Sequence, residues 1–242
     1  MLRLLRAETY RLVRKKSLYL AFGGLVVAYV ALAVVRSGGF TDASAATDAQ
    51  TFFWLLPGVA GGLLFAAIYA DDLTSKSLIT LVGHGTSKAV IVATKLVLMV
   101  VSSLIVFGLA PLVHLGVYAA LGWPASAATW HVVVAIAVRY WLLALGFAVL
   151  SGIVAYALQK VTFAVVAYLL LAFSVVTGLL TMALKTFAPG LVDYLLSGVT
   201  VRVFAGLTTG APLVAPAVTY VVYLIAAAVV SVVAFTRREM EF

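Results

Sequence analysis

LVLMVVSSLIVFGLAPLVHLGVYAALGWPASAATWHVVVAIAV, residues 96–138, contains no charged side chain. As one helix it would run about 64 Å at 1.5 Å per residue, twice the hydrocarbon thickness of a bilayer. A stretch this apolar needs lipid around it, and its length requires it to fold back. Gly122, Trp123 and Pro124 supply the turn residues for the reversal. Two long membrane-spanning helices are therefore expected here, over 89–120 and 131–158. Both are long enough to tilt or to project beyond the core.

The same reading extends outward. Further apolar segments at 17–35, 51–70, 161–184 and 213–235 bring the expected total to six spans. Of 242 residues, 65% are hydrophobic and only 10% charged, against about 25% charged in soluble domains. The chain is expected to be all-α, a single transmembrane domain over 1–242. There is no cysteine, which excludes disulfides and thiolate chemistry. No cleavage site follows the first apolar run in the usual place, so that span is expected to be retained.

Between the spans, residues 36–50 (RSGGFTDASAATDAQ) read as a small polar loop, and Gln159 and Lys160 as a tight turn. Pro57, Gly58, Gly61 and Gly62 in the second span suit either a close helix approach or a kink. Residues 185–212 are too apolar for a free loop. Leu191, Leu195 and Val199 are spaced like a helix face, and one or two short helices dipping part-way into the outer leaflet are expected.

The net charge is +8, and its placement carries the information. With an inside N-terminus, the segments 1–16, 71–95, 159–160 and 236–242 hold twelve of the sixteen Lys and Arg residues. The excess of basic residues in cytoplasmic segments then puts both termini in the cytoplasm of a multi-pass protein of the plasma membrane. In residues 1–16, Leu2, Leu5, Leu12 and Val13 gather on one side of a helical wheel, and most arginines occupy the rest. That pattern fits an interfacial helix, its basic side chains among lipid headgroups. Membrane lipids are thus expected partners, and nucleic acid is not.

Catalytic signatures are missing. GHGTSK at 83–88 lacks the glycine spacing of a phosphate loop, and no H-E-x-x-H occurs. The three histidines, His84, His114 and His131, fall in separate segments without nearby carboxylates, so neither metal nor cofactor is expected. His114 and Arg139 lie within apolar runs, and intramembrane ionisable groups are functional candidates by default. Their structural readings are a neutral His114 bonded to a neighbouring helix, and an Arg139 that either reaches the outer headgroups or pairs with Asp193. Aromatic residues such as Phe52, Phe53, Trp54, Tyr168 and Phe173 suit either a greasy path or simple packing.

The most polar internal stretch, 71–88, is longer than a connection between two helices needs to be. It opens with Asp71 and Asp72, continues through Lys76 to the apolar piece Leu78–Leu81, and closes with His84, Lys88 and, further on, Lys95. A cytoplasmic loop with its own short helix has something to touch. Here the chain resembles the permease subunits of type-2 ABC exporters, above all the small permeases linked to lantibiotic immunity and drug export. Asp71 or Asp72 matches that family's acid, Leu78 to Leu81 its short apolar helix, Ser87 and Lys88 its Ser-Arg pair, and Lys95 its lysine. The chain departs from the pattern at Lys76 and Ser77, where Gly-Thr is usual, and at His84 and Gly85, where Pro is common.

The resemblance covers essentially the whole chain and implies several things. Residues 1–16 would be an elbow helix, 71–88 a coupling loop seated in a cleft of a separate cytosolic ATPase, and 185–212 a re-entrant segment. Asp71, Asp72, Lys76, Leu78, Leu81, His84 and Lys88 would carry the ATPase contact. A second permease chain, identical or homologous, would complete the pathway beside a pair of ATPase subunits. The chain would not itself be an enzyme, and the scarcity of charge in its spans suits a hydrophobic or amphipathic substrate such as a peptide, lipid or drug. An ion-gradient-driven carrier or channel is the alternative, normally marked by acids within spans and internal repeats.

Overall fold

The reversal at Gly122 and Trp123 divides the charge-free stretch as its length requires. A computed structural model describes residues 1–35, 41–74, 77–123 and 126–237. Arg36, Lys76, Pro124, Arg238 and Glu239 lie outside the described residues. Within them every regular element is helical. α1 is Leu2–Val13 and α2 Lys16–Val35. α3 is the long run Ala43–Leu73, and α4 the short helix Ser77–Gly83. α5 is Lys88–Ala120, α6 Ala127–Leu158, α7 Val161–Ala172 and α8 Val175–Phe187. A 3₁₀ turn at Pro189–Tyr194 leads to α9, Leu196–Thr209, and α10, Val214–Arg237. Five helices, α2, α3, α5, α6 and α10, are long and apolar enough to cross a membrane. The pair α7 and α8 makes a sixth if it acts as one span.

The two helices from the charge-free stretch are capped where they should be. Ser87 and Ser126 sit just before α5 and α6, and each side-chain oxygen accepts from a backbone N–H three residues on. α6 is the central helix: 67% of its apolar window is buried, against 17% for α2. It packs against α3, α5, α7, α9 and α10. α2 stands at the edge, with only Leu18, Tyr29 and Ala33 buried.

Three expectations change. Residues 43–50, read as loop, belong to α3. Thr41 caps them, its hydroxyl accepting from Ser44 N–H at 3.1 Å while Ser44 Oγ accepts from Thr41 N–H at 2.8 Å. The polar side chains that suggested a loop find partners on other helices: Gln50 Nε2 donates to Tyr140 at 2.7 Å, and Tyr118 donates to Asp48. Second, the single span expected over 161–184 is bent by 54° between α7 and α8, where Ser174 takes a left-handed φ of 60°. Third, Leu191 and Leu195 precede the helix they were expected to stripe. Leu191 is exposed, and the buried face of α9 is Leu196, Val199 and Val203.

α3 is irregular in a specific way. It widens into π-turns at Pro57–Gly61 and Ala66–Ala70. Pro57 has no N–H to give the preceding turn, which is a known cause of such distortion. Tyr168 of α7 donates to the Pro57 carbonyl at 2.7 Å, and its ring stacks on Phe65 with centroids 5.0 Å apart. Gly61 makes this possible, because a Cβ there would lie 2.2 Å from the Tyr168 oxygen. The glycines therefore serve close approach as well as the kink.

Gly61→Val should destabilise the protein by about 1–3 kcal/mol through overpacking. Adding Tyr168→Phe, which removes the clashing oxygen, should recover part of the loss. Thermal denaturation in mild detergent, read by the monodisperse fraction, checks both. Additive losses in the double variant would place the clash elsewhere.

Candidate functional site

At the end of the bundle that carries α1, three carboxylates and three cations come together. α1 lies across the beginning of α5 with Leu4, Leu5 and Leu12 packed on the core. Leu2 and Val13, of the same apolar side, are exposed. On the inward face sits Glu8, 7% exposed. It meets Lys95 of α5 at 2.8 Å and Arg11, one turn on, at 2.8 Å. Lys95 also pairs with Asp72 at the end of α3, and Asp72 is bridged in turn by Arg11. Lys15 pairs with Asp71. Lys95 and Asp72 are each 1% exposed.

Burial at this depth costs each ion several kcal/mol, and only good pairing offsets it. The cluster is balanced, so no unmatched charge is left inside it. Burial works against the Arg11 charge. The hydrogen bond to Asp72 and the carboxylates of Asp72, Glu8 and Asp71 outweigh it, and the guanidinium pKa stands above its ordinary value.

The short helix α4 hangs from the same platform. Leu78 is buried, and Leu81 and Val82 pack on the core. The two leucines expected to touch a partner therefore face the bundle. The outward surface is Thr80 with the tip Gly83, His84 and Gly85. His84 Nδ1 lies 2.7 Å from the Thr80 carbonyl, closing the end of α4. Lys88 donates to the Phe235 carbonyl at 2.8 Å and lies over the Phe235 ring, fastening the start of α5 to the end of α10.

Of the residues singled out in the sequence, Asp71, Asp72, Leu78, Leu81, His84 and Lys88 thus gather at one end, and Lys76 lies outside the described residues. Glu8, Arg11 and Lys15 were not singled out, and they hold the cluster together.

His114 belongs to a second polar knot, among α2, α3 and α5. Its Nε2 lies 3.0 Å from the Ala45 carbonyl, which can only accept, so Nε2 carries the proton. Nδ1 is then the acceptor for the Tyr29 hydroxyl. Phe53 and Tyr118 pack edge-on and tilted against the imidazole. Arg139 makes no ion pair with Asp193 among the described residues. Its guanidinium lies over the rings of Tyr140 and Phe204 instead. Phe53 and Tyr168 are buried in helix packing, whereas Trp54 and Phe173 are about half exposed.

No family model matches the chain, and no curated protein matches it.

Lys95→Ala should cost about 3–5 kcal/mol by stranding Glu8 and Asp72. The fourfold change Glu8→Gln, Arg11→Gln, Asp72→Asn, Lys95→Met, which removes the coupled ions together, should recover most of that. Denaturation midpoints in detergent compare them. Equal losses would mean that the pairing itself contributes nothing.

Proposed function

We propose that this chain is the membrane-spanning permease subunit of an ATP-driven exporter of the type-2 ABC class. In this reading the bent pair α7–α8 is the fifth of six spans, α1 is the elbow helix, and 185–212 is the re-entrant segment. Both termini face the cytoplasm of a plasma membrane. ATP is hydrolysed by a separate pair of cytosolic subunits, and a second permease chain, identical or homologous, faces this one. The substrate is hydrophobic or amphipathic.

One observation carries the reading: α1 and the ends of α3, α5 and α10 are joined by ion pairs and a hydrogen bond into a single platform at one end of the bundle, and the loop helix α4 packs against it through Leu78, Leu81 and Val82. A connecting loop needs no such fixing. A surface that must take a push from a cytosolic motor does, because a floppy loop would absorb the motion. Inward-facing Leu78 and Leu81 fix α4, which leaves Thr80 and His84 as the contact on this proposal. Against an ion-driven carrier stands the neutralisation of Glu8, Asp71 and Asp72 by cations, which leaves those carboxylates no freedom to take up an ion.

Purification of the tagged chain in mild detergent should bring down a stoichiometric cytosolic ATPase. Thr80→Arg with His84→Glu should reduce its recovery tenfold or more without changing the yield of the permease. A stable preparation free of any ATPase would remove the proposal's basis. Orientation is open to a separate test, since the chain has no cysteine of its own. Single cysteines at Ser126 and Gly190 should react with a membrane-impermeant maleimide in intact cells. Cysteines at Ser87 and Thr236 should react only after permeabilisation, and the reverse pattern would invert the topology.

A further inference from the structure

Beside the His114 knot, α2 does not close against the bundle. A groove of about 530 Å³ runs between α2 on one side and α3 and α5 on the other. Its walls include Leu12 and Val13 at the α1 end, then Leu18, Leu25 and Leu32 along α2, with His114 near the far end. Apart from the exposed Tyr19 at the mouth, its polar residues turn their atoms inward. Tyr29 and His114 bond to each other and to Ala45, and Ser102 donates to the Leu98 carbonyl. The surface left to a visitor is almost all hydrocarbon.

The mouth is different. Leu12 and Val13 on one side and Leu18 and Tyr19 on the other flank the turn from α1 to α2, which holds Arg14, Lys15 and Lys16. Lys15 is engaged by Asp71. Arg14 and Lys16 are exposed, the Arg14 guanidinium lying over the Tyr10 ring, and the acids of this region are taken up in the ion cluster. From Leu18 to Leu32 the groove follows α2 for about 21 Å at 1.5 Å per residue. One leaflet of hydrocarbon is about 15 Å, half of a core about 30 Å thick. A greasy slot somewhat longer than one leaflet, with cations in the turn beside its mouth, is complementary to one kind of molecule. A two-fold copy of the chain suits it less, because an isologous contact would bring the same cations face to face.

We propose that this groove holds an acyl chain of one anionic membrane phospholipid, whose phosphate is bound by Arg14 and Lys16. The site needs only a lipid setting, and it stands whether or not the chain transports anything.

Native mass spectrometry in a mild nonionic detergent tests it, with dioleoyl phosphatidylglycerol and dioleoyl phosphatidylcholine, which share chains and differ in charge. The wild-type chain should retain one phosphatidylglycerol, about tenfold or more in preference to phosphatidylcholine. Arg14→Gln with Lys16→Gln should abolish the preference. Ala28→Trp, which fills the slot, should abolish retention of both lipids at an unchanged melting temperature. If Ala28→Trp does not fold, the exposed double variant still decides through the lipid ratio. Equal retention of both lipids by the wild type, or retention unaffected by the variants, would overturn the site. So would a lipid-free dimer that Ala28→Trp breaks, which would give the groove to a second copy.

Discussion

Lys95 enters the bundle near the start of α5 with its ammonium buried, and that one charge dictates what must surround it. An isolated ammonium would not persist in such a place, since removing it from water costs several kcal/mol even after relaxation. Glu8 comes from a helix far earlier in the chain and Asp72 from the end of α3. Their attraction to Lys95 brings three separate elements to one point and leaves little freedom in how they meet. Arg11 then balances the second carboxylate, so that α1 is part of the interior construction rather than a basic tag lying beside it.

Apolar packing continues from the same end into the bundle. Tyr168 stacks on Phe65, Phe65 on Tyr69, Tyr69 meets Tyr156 edge-on, and Tyr156 lies against Phe235, whose ring carries Lys88. This line of rings ties α7, α3, α6, α10 and α5 together. In lipid the hydrophobic effect does not drive helices to associate, and geometry of this sort must do it. Small residues allow the approach: a Cβ on Gly146 would sit 2.5 Å from Leu196, so α9 lies directly on α6. Elsewhere, hydrogen bonds join the helices. Gln50 reaches Tyr140, and Tyr220 reaches the Leu142 carbonyl.

Much of this was legible in the sequence and some was not, for reasons that can be named. The helix-long apolar runs and the turn at Gly122 are read directly from composition and length. The ion cluster also left a trace. Glu8 falls between Leu5 and Leu12 on the apolar stripe of α1, and Lys95 between Ile91 and Leu98 on the buried stripe of α5. A charge on an apolar stripe asks for an opposite charge on a facing stripe. The bend between α7 and α8 left no such trace, because Phe173 and Ser174 are neither glycine nor proline, although Ser174 takes a left-handed φ. The helical start of α3 was masked by composition. Thr41 and Ser44 form a capping pair that a reading of DASAATDAQ as polar loop overlooks. The inward turn of Leu78 and Leu81 was invisible because periodicity gives a face and not its direction. Only the packing of α4 decides that.

α1 and α2 are nearly continuous, yet they are held quite differently, and the difference explains the shape of the edge of the molecule. α1 is clamped by the buried ions. α2 is fixed by polar contacts near its two ends, Lys15 to Asp71 just before it and Tyr29 to His114 further along. Most of its length between these points stays exposed, with Leu20 and Val27 turned outward. Polar contacts in an apolar setting are specific in a way that alkyl contacts are not, since a lost partner has no substitute in lipid. The two anchors therefore set the position of α2, and the spacing they impose leaves a slot that the protein's own side chains do not fill. α3, on the other side of that slot, is the helix with two π-turns. The slot thus lies between the least buried span and the least regular one, while the ends of α3 and α5 remain locked to α1.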